Sequence, residues 1–216
     1  MRIELRMTAL LPAALAVGIW ACGGGGGPAG PTGSSPSQPP TGSFNVSPSA
    51  ALMAVTVMTF AANGNDPSGG TLSFDWQFGD GQTASGQTVT HVFSSEGAFD
   101  VVLTLRSSRG ASGTVRQSVT SRSITGTWVD GDPDFELELV QGGSTFAGKV
   151  FVQGNYRSDI QNGVLTNPRN IAFYRRWNGK GNYGVYSGQY AGTVDASLNK
   201  INADSIPGVS FNLTRK

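Results

Sequence analysis

Residue types that usually carry chemistry are scarce. Histidine and cysteine each occur once in the 216 residues, and charged residues make up only 13%. Any histidine-based mechanism has to use His91. It would also need a positioned nucleophile and an orienting acid, and no motif such as G-x-S-x-G supplies them. His91 falls in phase with Val89 and Phe93, so it reads as a packed strand residue rather than a general base. A single cysteine excludes an internal disulfide. The net charge of +1 gives no electrostatic reason to expect nucleic acid or an anionic surface as partner. No sustained helical period appears beyond residue 44. The chain therefore offers no catalytic constellation. What it has in quantity is glycine, 31 residues, set between short apolar alternations.

The first 22 residues, MRIELRMTALLPAALAVGIWAC, have the shape of an export signal. Arg2 and Arg6 precede an uncharged stretch over 8–21, about as long as a signal core and shorter than the roughly 20 apolar residues a bilayer span needs. Ile19-Trp20-Ala21-Cys22 resembles the bacterial lipobox, although Trp20 replaces the small residue usual at its place. The resemblance implies cleavage after residue 21 and lipidation of Cys22, and it accounts for the lone cysteine. Two or three acyl chains, at about 0.8 kcal/mol per buried CH₂, anchor a protein durably. Gly23 after the cysteine points to the outer membrane of a double-membraned cell.

Residues 22–42 form the next unit. From 23 to 42 only Gly, Pro, Ser, Thr, Ala and Gln occur. Such a segment buries too little to offset ordering and is expected to be a disordered tether, reaching roughly 25 Å as a coil. From Phe44 the period is two. FDVVLTLRS puts Phe99, Val101, Leu103 and Leu105 on one face, with Asp100, Thr104 and Arg106 on the other. Turn clusters separate such runs, which predicts an all-β chain. The pattern pauses near residues 121–123, giving a boundary between a domain at 43–122 and another at 123–216.

In the first domain, FDWQFGDG begins at Phe74. Asp80-Gly81 is a hairpin signal, since both residues tolerate positive φ, and alternation sends Trp76 and Phe78 into a core. With Thr90-His91, Phe93, Gly97 and Phe99, this stretch resembles the PKD domain, an immunoglobulin-like β-sandwich. The resemblance implies contact with protein or polysaccharide, or a spacer role, and a histidine without catalytic duty. Some relatives bind calcium, and Asn63, Asn65, Asp66 and Asp75 are the candidate hard-oxygen ligands here. Turn chemistry explains the same residues, and Gln77 stands where the family usually has aspartate. No cofactor is therefore expected, with calcium the sole candidate.

Residues 124–216 give eight β runs, near 126–129, 135–141, 146–152, 158–165, 170–176, 184–190, 197–202 and 209–214, with turns at Gln141-Gly142-Gly143, Asn162-Gly163 and Asn178-Gly179. Eight antiparallel strands predict a small barrel without free edges. Gly126-Thr127-Trp128 and the terminal Arg215 weakly resemble the lipocalin and avidin superfamily, which implies that Arg215 stacks on Trp128. Asp130, Asp132 and Asp134 open like an EF-hand but lack its glycine and its bidentate glutamate. The aromatic and basic stretch from 173 to 190 supplies candidate ligand-binding residues Tyr174, Arg176, Trp177, Tyr183 and Tyr186. A barrel wall explains the same residues and is the preferred reading, since amphipathic tyrosines suit a half-wet sheet face. The expected protein is an envelope lipoprotein acting as a non-catalytic binding, adhesion or spacer module for protein or polysaccharide. The alternative is a periplasmic small-ligand carrier or enzyme inhibitor using the barrel.

Overall fold

A computed structural model describes residues 37–167, 169–177, 188–205 and 209–216. The expected signal, Cys22 and most of the tether lie outside the described residues. Within them all regular structure is β.

Eight strands build the first half: β1 (Thr41–Ser47), β2 (Ala51–Leu52), β3 (Met58–Asn65), β4 (Leu72–Gln77), β5 (Thr83–Ser85), β6 (Thr88–His91), β7 (Gly97–Ser107) and β8 (Ser112–Arg122). They form two facing sheets, ordered β1-β3-β6 and β2-β8-β7-β4-β5, an immunoglobulin-like sandwich. Alternation fills the space between them. Val101, Leu103 and Leu105 of β7 meet Phe44, Phe60, Trp76, Phe78 and Phe93, all buried. Trp76 stands edge-on to Phe44 at 5.1 Å, and its indole N–H donates to the Gly86 carbonyl at 2.8 Å, so burial leaves no polar atom of the ring unsatisfied.

The turn after β4 differs from the expected two-residue hairpin. Gln77 pairs with Thr83, and positive φ falls on Gly79 (83°) and Gly81 (90°) rather than on Asp80. Asp80 is held elsewhere. Its Oδ2 meets His91 Nε2 at 2.8 Å, its Oδ1 accepts from the Gln82 N–H, and His91 stacks on Phe78 with centroids 4.0 Å apart. His91 is the packed strand residue its phase predicts.

Residues 37–42 also differ from a disordered tether. Pro40 is buried, and its carbonyl lies so close to β8 that a Cβ on Gly113 would stand 2.1 Å away. The Gln38 N–H donates to Ser68 Oγ, and β1 already begins at Thr41. Pairing with β3 orders what composition alone leaves loose.

The second half is a closed barrel of β9 (Gly126–Asp130), β10 (Asp132–Gly142), β11 (Thr145–Val152), β12 (Asn155–Thr166), β13 (Asn170–Trp177), β14 (Gly188–Val194), β15 (Lys200–Ser205) and β16 (Ser210–Arg215), with β16 returning to β9. Two strands sit later than the alternation suggests. β14 continues to Val194, and residues 197–199 belong to a turn in which Asp195 accepts from the N–H groups of Ser197, Asn199 and Lys200. Asn162-Gly163 is no turn. It is a bulge inside β12, where the register slips between Gln161 and Val164 and Asn162 takes φ 52°. Inward glycines let the wall curve tightly: a Cβ on Gly192 would meet the Asn202 carbonyl at 1.8 Å, and one on Gly148 would meet the Glu138 carbonyl at 2.3 Å.

The two halves share a core. Leu52 and Val55 of the sandwich belong to the same buried cluster as Ile124, Trp128 and Leu198 of the barrel. Gln141, expected in an exposed turn, is buried across the junction. Its Oε1 accepts from the Ile124 N–H at 2.8 Å, and its Nε2 donates to the carbonyls of Met53 at 3.1 Å and Gly143 at 2.8 Å. Beside it Arg215 lies 4.9 Å over the Trp128 ring and donates to the Ser123 carbonyl. This is the stacking that the Gly-x-Trp resemblance implies.

Candidate functional site

The four candidate calcium ligands do not converge. Asn63 and Asn65 lie exposed on β3 in the three-stranded sheet, while Asp75 lies on β4 in the other sheet. Asp75 accepts from Ser85 Oγ and from Arg106 Nε, the latter at 2.9 Å. Asp66 closes a loop: Oδ1 accepts from the Ser68 N–H, and Oδ2 accepts from the Gly70 N–H and from Ser107 Oγ at 2.6 Å. The Ser107 hydroxyl is the main reason its carboxyl sits below the ordinary aspartate value. Both carboxylates are thus spent on turn and strand chemistry. Among the described residues no three His, Cys, Asp or Glu side chains gather in a way that could hold a metal.

The aromatic and basic candidates divide. Tyr183 and Tyr186 lie outside the described residues, as does the side chain of Trp177. Tyr174 and Arg176 alternate with the buried Phe173 and Arg175 on β13 and so face outward. They enter different surroundings. Arg176 pairs with Asp159 of β12, Asp159 with Lys149 of β11, and Lys149 with Glu138 of β10. Each charge on this row therefore has an opposite charge across the strand, an arrangement that stabilises a wet sheet face. Asp159 also accepts a bond from the Tyr156 hydroxyl; burial first, and then this bond, push the Tyr156 pKa up.

Tyr174 instead borders an open groove of about 330 Å³ that crosses β12 to β15. Outward Ala172 and Ala191 form its floor, with Asn162, Tyr174, Gln189 and Asp204 around it. A second outward groove, about 560 Å³, lies over the charge row and includes Val140, Ala147 and Gln161. Charged and polar side chains face outward and mainly apolar ones inward, the reverse of a lipid-facing barrel. Side chains fill the inside: Trp128, Leu137, Phe146, Val150, Ile160, Phe173, Tyr190 and Phe211 are buried, and Arg175 lies 5.8 and 5.9 Å from the centroids of the Phe135 and Phe211 rings, which stack on each other, with its Nε donating to Ser158 Oγ at 2.8 Å.

Of the groove's lining residues the sequence singles out Tyr174 but not Asn162, Gln189 or Asp204. Outward phase alone marks Gln189 and Asp204 as wall residues. Their neighbourhood across three strands needs the register, and Asn162 stands in a sequence with the composition of a turn.

Residues 39–122 match the family model of the PKD domain. A microbial collagenase from Vibrio alginolyticus is 30% identical over 102 residues, which is 47% of this chain and 12% of that protein; the match spans about an eighth of its length. The PKD1 domain of Vibrio anguillarum Epp is 23% identical, covering 40% of this chain and 98% of its own, with a TM-score of 0.34. A structure of carbohydrate-binding modules from the β-sandwich superfamily covers 83% of this chain and 85% of its own at 16% identity and a TM-score of 0.40. Likenesses at these scores carry no functional argument. The family match stops at residue 122, shortly before the barrel's first strand begins at Gly126.

Proposed function

We propose that this chain is a non-catalytic binding module of a bacterial cell envelope. A lipidated Cys22 and the tether hold it to the membrane, the PKD domain acts as a spacer, and the barrel is the recognition head for a protein or polysaccharide. The observation that carries this reading is the filled barrel with its grooved outer wall. A small-ligand carrier needs a hollow interior, whereas the inward positions described here are occupied by aromatic and branched side chains. Recognition then falls to the outside, where Tyr174 and its polar neighbours lie.

The geometry of attachment supports the spacer role. The chain enters the sandwich beside Ser68 and Gly113 and leaves it at Arg122, at the other end of the 11-residue β8. The described entry near residues 38–40 and the exit towards the barrel thereby lie at opposite ends of β8. Relatives that share the PKD segment include a collagenase, so collagen belongs among the protein partners tested first.

Two measurements test the proposal. Expressed with its leader in a Gram-negative host, the chain is expected to incorporate a palmitate analogue and fractionate with envelope membranes, and Cys22→Ser to do neither. Soluble protein is expected to be retained on an insoluble polysaccharide or on immobilised collagen. Retention on neither, with the fold intact, removes the recognition role.

A further inference from the structure

We infer that the groove bordered by Tyr174 is a subsite for an uncharged, hydroxyl-rich glycan lying across the strands from β12 to β15; this rests on the recognition role proposed above and names the ligand class. Three features lead to it.

The first is that the wall has no free edge. β12 to β15 are paired on both sides within a closed barrel, so outside the Asn162-Gly163 bulge their backbone groups are largely engaged. A peptide there cannot add a strand and gain main-chain hydrogen bonds. A ligand has to be held by side chains.

The second is the choice of those side chains. Gln189 and Asn162 each offer an amide that both donates and accepts, the Asp204 carboxylate accepts at two oxygens, and Tyr174 adds a hydroxyl and a ring face. Sugar hydroxyls donate and accept together, so this set can satisfy them. The Ala172 and Ala191 methyls leave room for a ring to approach the sheet. The groove's volume of about 330 Å³ suits a small ligand rather than a protein face, which buries about 800 Å² per partner.

The third is charge. Among the described residues, Asp204 is the one formal charge lining the groove, and it makes no ion pair there. The nearby cations Lys149 and Arg176 stand opposite Glu138 and Asp159 in the neighbouring row. A uronate or sulfated sugar would meet an uncompensated carboxylate, whereas a neutral diol would donate to it. Three strand spacings of about 4.8 Å each give the groove room for a short run of sugar rings.

The test uses the soluble full-length mature chain with hexamers of β-linked glucose, of N-acetylglucosamine and of galacturonate, titrated by calorimetry. At least one neutral hexamer is expected to bind and the galacturonate hexamer to fail. Asp204→Ala is expected to weaken binding about tenfold or more, as loss of a charged acceptor does. Gln189→Ala and Tyr174→Ala should each weaken it several-fold, while Arg116→Ala on the sandwich changes nothing. All four positions are on the surface, and circular dichroism checks the fold of each variant. Neutral binding indifferent to the three groove substitutions overturns the subsite yet keeps the recognition role, and so does binding of galacturonate alone. If no hexamer binds but collagen or another protein is retained, the glycan assignment falls and the recognition role stands. If nothing binds, both fall.

Discussion

At the scale of single residues, most polar groups in the core are there because another group needs them. Asp80 is in its turn to meet His91, Arg215 covers Trp128, and Gln141 satisfies three backbone groups at once. Arg215→Ala removes a part-buried cation–π contact and leaves the Ser123 carbonyl without its donor. It is expected to lower stability by about 1–3 kcal/mol, read from urea unfolding followed by tryptophan fluorescence. Asp66 carries a pH signature. The Ser107 hydroxyl, chiefly, holds its folded carboxyl below the ordinary value, so its contribution is complete above the unfolded pKa and is lost as pH falls through the folded one. The melting temperature of Ser107→Ala should therefore lie below wild type at neutral pH and approach it on acidification. A gap that widens in acid contradicts the assignment.

At the scale of elements, alternation makes much of the molecule legible in the sequence. The inward residues of β7, the burial of Trp76 and Phe78, and the eight-stranded second half follow from a period of two. What the sequence left hidden was the partner across each strand. Asn162-Gly163 has the composition of a turn, and only pairing with β11 and β13 makes it a bulge. Gln141 sits in a glycine-rich turn motif, and only the approach of Met53 makes it a buried clamp. Asp204 is an unremarkable wall residue until register sets it two strands from Tyr174. The charge row gives an element-scale prediction. Lys149→Glu places like charges opposite both Glu138 and Asp159 and should cost about 0.5–2 kcal/mol, less at high salt, measured by denaturation at low and high ionic strength. Gly192→Ala forces a methyl against the Asn202 carbonyl and should cost about 1–3 kcal/mol or more through overpacking, or stop barrel closure altogether. A neutral effect there would refute the close approach.

At the scale of the whole molecule, the sandwich and the barrel share a buried cluster, in which Leu52 and Val55 pack with barrel residues, and Gln141 bonds across the seam. Thermal unfolding is expected to be a single cooperative transition by both calorimetry and tryptophan fluorescence. Leu52→Ala, with a cost of about 2–5 kcal/mol, should lower that transition or split it in two; a wild type that already melts in two steps would show the seam to be weak. The opposite placement of the sandwich's two exits has a mechanical corollary. A pull between the leader side at Thr41 and the barrel side at Arg122 runs along β1 rather than across it. The seven paired positions of β1 and β3 are then strained together, as in a lap joint, instead of parting one after another like a zip. Loaded in this direction, the sandwich resists separation through all seven pairs at once rather than through one pair at a time.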